Sequence, residues 1–271
     1  RRELARRAFK VTSNYDTAIY NYFNEGHTDV AFKHSIHRSD ILRYGENPHQ
    51  SGVFFGDFDK VFDKLNGKSI SYNNLVDIDA AVQLMREFQD AKPCFAILKH
   101  TNACGVAQRN TLLEAWTDAL ACDPVSAFGG IFIANTTVDA DTAREINKLF
   151  YEVLIAPAFT PEALELLSKK EQRILLRIKH FEIPQRSFKT LLNGVVEQDA
   201  DLKSETAADL KPVTNRTPTS EEVESLLFAV KCCKHLKSNA IALVKNGQLI
   251  GMGCGQPNRI DALQQAINKA K

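Results

Sequence analysis

From Asp40 to Ile178 the chain alternates short apolar runs with segments of helical pattern, and this alternation restricts the fold more than any other feature. Strands are expected near 52–55, 94–98, 130–134, 152–156 and 173–178, and helices near 74–90, 111–121, 139–150 and 161–170. Asp and Thr-Pro start signals open the last two helices. The alternation predicts an α/β layered fold with a largely parallel sheet. A chain of 271 residues, 44% of them apolar, can bury at least one full core, and two sub-domains are expected.

The flanking segments read differently. Residues 1–25 pattern as a helix with Ala8, Phe9, Ala18, Ile19, Tyr22 and Phe23 on one side, interrupted near Thr12–Asp16 by an N-cap signal. That apolar side needs something to pack on. The start lacks Met and carries Arg1, Arg2, Arg6 and Arg7, which reads as a cut chain and not as a targeting signal. Glu25 to Asp40 reads as a connector, and Phe181 to Pro218 as a surface excursion with one short strand around Gly194–Gln198. A capping box at Thr219 or Ser220 starts a helix that runs to about Leu236. Ala240–Val244 and Gln248–Met252 then flank Asn246-Gly247, the residue pair that favours a type I′ hairpin, and a helix begins near Asp261. A fainter echo at Asn66-Gly67, followed by Ile78-Asp79-Ala80-Ala81, suggests a duplicated unit.

Composition removes several function classes. Thirty-four basic and thirty-three acidic residues leave a net charge of +1, so neither nucleic acid nor an anionic membrane is expected as partner. No apolar run reaches the roughly 18 residues of a membrane span. The six cysteines form no C-x-x-C pair and lie mostly in apolar runs, as reduced thiols in the cytosol would. The seven histidines form no His-Glu-x-x-His or His-x-Glu pattern, and no Gly-x-Ser-x-Gly elbow occurs, so neither a zinc site nor serine hydrolysis is expected.

Four segments carry groups that can do chemistry. The apolar run Cys94–Leu98 ends in Lys99-His100 and enters Thr-Asn-Ala-Cys-Gly, read as a loop before a helix. Ligands of α/β sheets bind beyond the carboxyl ends of strands, where this pair falls. Imidazole moves protons near neutral pH, and an adjacent ammonium can stabilise an oxyanion. Adjacent strand residues point to opposite faces, so the pair needs a turn between its members to act together. A strand-end cap fits the same residues. Leu42–Gln50 offers Arg43 for a phosphate or carboxylate and Tyr44 for stacking, although a solvated turn would look alike. Asp123–Gly130 reads as a tight helix-to-strand turn or as a place where a ligand approaches glycine backbone. Gly251-x-Gly253-x-Gly255 is a weak phosphate-cradle pattern, with Arg259 near a helix N-terminus behind it.

Taken in order, Leu42–Gln50, Leu65–Ala81, Ile97–Gly105, Asp123–Gly130, Leu154–Pro157 and Ser238–Arg259 resemble the bacterial bifunctional phosphoribosylaminoimidazolecarboxamide formyltransferase / IMP cyclohydrolase family over nearly the whole chain. The resemblance implies transfer of a formyl group from 10-formyltetrahydrofolate to the 5-amino group of AICAR, giving FAICAR, with cyclisation to IMP housed in another domain. It implies layered α/β/α sub-domains of cytidine-deaminase-like fold with a mixed sheet, the second copy truncated. Residues 1–39 would close the cyclohydrolase domain, 40–180 form the first sub-domain, 181–237 an excursion and helical connector, and 238–271 the start of the second.

By position, His100 becomes the proton acceptor and Lys99 the group that stabilises the transition state. Arg43, Tyr44, Gly129, Glu152, Asn239 and Arg259 would hold the ribotide, and Ile260 would lie near the folate. Some family members carry Asp where Glu152 stands. The resemblance further implies a cytoplasmic homodimer with sites at its interface, folate as cosubstrate and no catalytic metal. The family's C-terminal portion, with its Phe-Phe-Pro-Phe-Arg-Asp type motif, is not found in this sequence. A non-catalytic ribotide-binding module and a dimerisation fragment are the alternative readings.

Overall fold

The computed structural model describes residues 1–27 and 30–270, so part of the expected connector from Glu25 to Asp40 lies outside the described residues. In chain order the elements are α1 (Arg2–Phe23), β1 (Ser39–Ile41), β2 (Val53–Phe55), α2 (Phe58–Val61), β3 (Phe62–Asn66), α3 (Tyr72–Arg86), β4 (Cys94–Lys99) and β5 (Asn102–Gln108). There follow α4 (Leu112–Cys122), α5 (Pro124–Ala127), β6 (Gly130–Ala134), α6 (Ala140–Ile146), β7 (Tyr151–Ala156), α7 (Pro161–Ser168) and β8 (Ile174–Ile178). The last are β9 (Arg186–Leu191), β10 (Gly194–Asp199), α8 (Ser220–Lys234), β11 (Ile241–Lys245), β12 (Gln248–Gly253) and α9 (Arg259–Lys269).

The main sheet has eight strands in the order β11-β12-β5-β4-β6-β7-β8-β3. It is mixed, as the resemblance implied, and not largely parallel as the alternation suggested. Only β6/β7 and β7/β8 run parallel, joined by the crossovers through α6 and α7, whereas the other neighbours are antiparallel. The cause is β5, which the sequence reading took for a loop: it doubles back on β4, and the chain then crosses through α4 and α5 to β6 on β4's other side.

Strand alternation divides the core between the two faces of the sheet. Cys94, Ala96 and Leu98 of β4 pack with Ile78, Val82 and Met85 of α3 and with Phe228 and Cys232 of α8. Phe95 and Ile97 face the opposite layer, where Trp116 of α4 lies 5.1 Å from the rings of both Phe95 and Phe132. Helix starts follow side-chain caps: Ser71, Thr111 and Thr219 each accept from the N–H three residues on, with the reciprocal bond of a capping box.

Two strand glycines let helices sit directly on the sheet. A Cβ on Gly105 would fall on the carbonyl oxygen of Ala119 in α4, and one on Gly253 on that of Ala262 in α9. The Gly251–Gly255 pattern is therefore helix-on-strand packing and not a phosphate cradle, since Gly251 and Gly253 lie inside β12 under α9. Gly105→Ala is expected to cost about 1–3 kcal/mol, because the methyl must displace backbone and not a flexible side chain. Urea denaturation measures this, and an unchanged midpoint would show that α4 can lift off the sheet freely.

Three further expectations are corrected. Helix α1 is continuous through Thr12–Asp16, and it buries none of its residues in the chain. The excursion holds a two-stranded hairpin, β9 with β10, where one strand was expected. The echo at Asn66-Gly67 is not a second hairpin: Asn66 ends β3, which pairs with β8, while Asn246-Gly247 does form the two-residue turn between β11 and β12.

Candidate active site

β4 ends at Lys99 and β5 begins at Asn102, and these two residues pair. His100 and Thr101 are thus the whole turn, with φ of 49° and 66°. Positive φ at both central positions defines the type I′ turn, which Asn246 and Gly247 adopt with φ of 50° and 67°. Asn-Gly suits that turn; His tolerates it better than most residues, but β-branched Thr101 does not. Left-handed backbone costs an ordinary L-residue roughly 1–2 kcal/mol, and a β-branched one is rarer still. The turn that Lys99 and His100 need in order to act together is therefore made by His100 and Thr101, and of the expected Thr-Asn-Ala-Cys-Gly loop only its first residue takes part, the rest being β5.

Both residues are held through their surroundings. Lys99 is half-buried and its Nζ donates to the Phe128 carbonyl at 2.7 Å, while His100 is exposed. The Thr101 N–H donates to Asp77 Oδ1 of α3 at 2.8 Å. The His100 carbonyl accepts from Thr101 Oγ1 at 2.6 Å and Asn102 Nδ2 at 2.8 Å.

Strand directions then decide which other candidates share this end of the sheet. β4 runs antiparallel to β6, so its end lies beside the start of β6 and the preceding Gly129. β6, β7 and β8 are parallel and β3 is antiparallel to β8, which brings Glu152 near the start of β7 and Lys68 beyond the end of β3 to the same rim. β12 is antiparallel to β5, so Asn239 ahead of β11 and the start of α9 with Arg259 and Ile260 fall there too. Lys99 stands at the carboxyl end of β4. Gly129 and Glu152 instead come from the amino ends of β6 and β7, because the sheet is mixed.

Lys68 Nζ lies 2.6 Å from Glu152 Oε2, with the two side chains 21% and 27% exposed. Lys68 is not among the residues that the sequence singles out, and its position directly after Asn66-Gly67 in a motif-rich block is the signal that points to it. Gly129 has φ of +72° and donates its N–H to the Phe150 carbonyl at 2.8 Å, beside a Phe128 that is 57% exposed.

The remaining candidates are tied to the turn at one remove. The Arg43 guanidinium stacks 4.6 Å from the Tyr44 ring and donates to its hydroxyl at 2.7 Å. Asn73 Nδ2 of α3 holds the Glu46 carbonyl of the same segment at 3.1 Å. Asn73 and Asp77 are four residues apart, so one face of α3 anchors the Arg43 segment and the His100-Thr101 turn about 6 Å apart along its axis. On the other side Cys254 Sγ donates to Asn102 Oδ1 at 3.4 Å, and Asn239 Nδ2 donates to the carbonyls of Gln256 and Pro257 at 3.0 and 3.2 Å. Asn258 caps α9 by accepting the Asp261 N–H, leaving Arg259 and Ile260 exposed on its first turn. Among the described residues no hydrogen bond joins Arg43 or Arg259 directly to Lys99 or His100.

The rim gathers Lys68, Lys99 and Arg259 with one imidazole, and α3 tethers Arg43 beside it, an arrangement suited to a small anionic ligand and to proton transfer. The thiols do not compete as nucleophiles: burial pushes Cys104 and Cys122 up to about 12 and raises Cys94 and Cys232 as well. Among the described residues no three His, Cys, Asp or Glu side chains come together as a metal-ligand set, and no helix is long and apolar enough to cross a membrane.

Comparison with known proteins identifies the lineage. The chain is 56% identical over 271 residues to the bifunctional purine biosynthesis protein PurH of Bacteroides thetaiotaomicron, covering 100% of this chain and 53% of that protein. PurH proteins of Rhodospirillum rubrum and Chlorobium phaeobacteroides are 44% identical over 281 residues and 41% over 285, again across 100% of this chain and 53% and 54% of theirs. The chain thus spans about half the length of the curated relatives it matches. The family model for the AICARFT/IMPCHase bienzyme matches residues 1–269, and with these relatives it shows that the chain belongs to that family.

Proposed function

We propose that this chain carries the catalytic pair of the formyltransferase, which moves a formyl group from 10-formyltetrahydrofolate to the 5-amino group of AICAR and yields FAICAR. The observation that supports this best is the His100-Thr101 turn beside Lys99, a two-residue bend that places a β-branched residue at positive φ and brings the imidazole and the ammonium to one rim. Strain of this kind persists where surrounding structure holds it for a purpose.

The chemistry follows from the substrate. The AICAR amine is conjugated with its imidazole ring and is a poor nucleophile, so attack on the formyl carbon needs a proton removed and an oxyanion stabilised. His100 takes the proton as the new C–N bond forms. Lys99 faces the developing oxyanion; an ammonium has three donors, and the Phe128 carbonyl occupies one. Collapse breaks the bond to the folate N10, which takes up a proton. Arg43 and Arg259 bind the phosphate, Tyr44, Gly129, Glu152 and Asn239 complete the ribotide site, and Ile260 contacts the folate.

On the same reading residues 1–39 close the cyclohydrolase part and 40–180 and 238–271 belong to two deaminase-like sub-domains, within a cytoplasmic homodimer. The exposed apolar residues of α1, among them Phe9, Tyr15, Tyr22 and Phe23, suit burial against another part of such an assembly.

Formyl transfer assayed in a protein of the relatives' full length carrying this sequence tests the reading. Arg43→Ala should raise the AICAR KM about 10- to 100-fold with little change in kcat, because a phosphate contact is worth the same in ground and transition states. A fall in kcat alone would assign Arg43 a different role.

A further inference from the structure

The two type I′ turns among the described residues are supported in different ways. Asn246-Gly247 uses residues that accept positive φ and is held at the end of β5, where the Gln108 N–H donates to the Gly247 carbonyl and Arg109, the next residue, to the Asn246 carbonyl. His100-Thr101 places β-branched Thr101 where such residues are rare, and the Thr101 N–H is taken by a carboxylate from a different layer. That carboxylate, Asp77, stands on α3 next to Ile78, which is buried against β4, and the helix is fixed at its start by the Ser71 capping box. Any shift of the turn is thus referred to a rigid element of the core.

We infer that Asp77 is a positioning residue for formyl transfer, holding the backbone of the His100-Thr101 turn in the left-handed conformation that sets where His100 projects. The inference rests on the reading of His100 as proton acceptor. Asp77 touches no reacting atom, and it acts only through the turn.

The energetics separate this role from a structural one. Burial raises the Asp77 carboxyl above the ordinary range, opposed by the Thr101 and His100 N–H groups and by the charges of His100 and Lys237. A carboxyl whose folded-state pKa is raised costs stability when ionised: the cost is present above that pKa and is relieved as pH falls through it. Asn in its place keeps an oxygen acceptor and loses the desolvated charge. Asp77→Asn should therefore be as stable as the parent at neutral pH, or more so.

The test uses the full-length protein carrying this sequence, with Asp77→Ala, Asp77→Asn and His100→Ala assayed side by side. Asp77→Ala should lower kcat about 10- to 100-fold, the usual effect of misplacing a catalytic group by an ångström, with the AICAR KM within about threefold. Asp77→Asn should recover part of kcat while its unfolding midpoint stays level or rises. An Asp77→Ala enzyme with kcat within about threefold of the parent, beside an inactive His100→Ala, would overturn the inference and leave the formyltransferase reading standing. So would a parallel loss of activity and unfolding midpoint in both Asp77 variants, which marks a purely structural role. Full turnover by His100→Ala removes the reading itself and the inference with it.

Discussion

His100→Ala should lower formyl transfer about 10²- to 10⁴-fold, the range set by one positioned acid-base group, with a much smaller change in AICAR affinity. The fold gives this substitution a clean interpretation. Among the described residues the His100 imidazole makes no hydrogen bond, and the bonds that fix the turn use its carbonyl and the Thr101 N–H, so removing the ring leaves the hairpin supported. His100→Gly provides the companion measurement. Glycine adopts a φ of 49° without steric cost, so this variant should match His100→Ala in lost turnover yet unfold at an equal or higher temperature. Near-normal turnover in either variant, with the unfolding midpoint intact, would reassign the proton acceptor to another group.

The sequence made the strands with apolar runs legible, because β4, β6 and β7 are buried on both faces over Phe95–Leu98, Ile131–Ala134 and Val153–Ala156, where only Val, Ile, Leu, Phe and Ala occur. It hid β5. Asn102–Gly105 is rich in turn formers, and the hairpin before it closes through His-Thr, which no turn preference would select. Missing that one strand converted a mixed sheet into an expected parallel one. Helix α1 failed for the opposite reason: Thr12 to Asp16 look like an interruption, yet the Thr12 and Ser13 hydroxyls donate to carbonyls three residues back and the helix runs on.

The candidate site was legible as a set of residues through family resemblance, but its internal wiring was not. Lys68 meets Glu152 only because β3, β8 and β7 lie side by side, an order that the two local sequences do not encode. Asp77 reaches the turn only because α3 packs across β4. Both contacts depend on tertiary arrangement, which spacing along one chain cannot show.

Lys99→Ala should cost formyl transfer about as much as His100→Ala, by roughly 10²- to 10³-fold, through lost oxyanion stabilisation. The structural side of the change is small. The Phe128 carbonyl loses one donor at an exposed position where water replaces it, so stability should move by about 1 kcal/mol or less. Lys99→Arg should recover only part of the activity, since a planar guanidinium spreads its charge and is too bulky for the place the ammonium takes beside the Phe128 carbonyl. The double variant carries the sharper information. If Lys99 and His100 serve one transition state, removing both should resemble the worse single variant, because each group has little to stabilise once the other is gone. Steady-state kinetics on the two single variants and the double variant measure this directly. Losses that multiply would mean that the two residues act in separate steps, and an Arg variant with full turnover would mean that any cation at the rim suffices and that the ammonium's place beside the Phe128 carbonyl has no bearing on the chemistry.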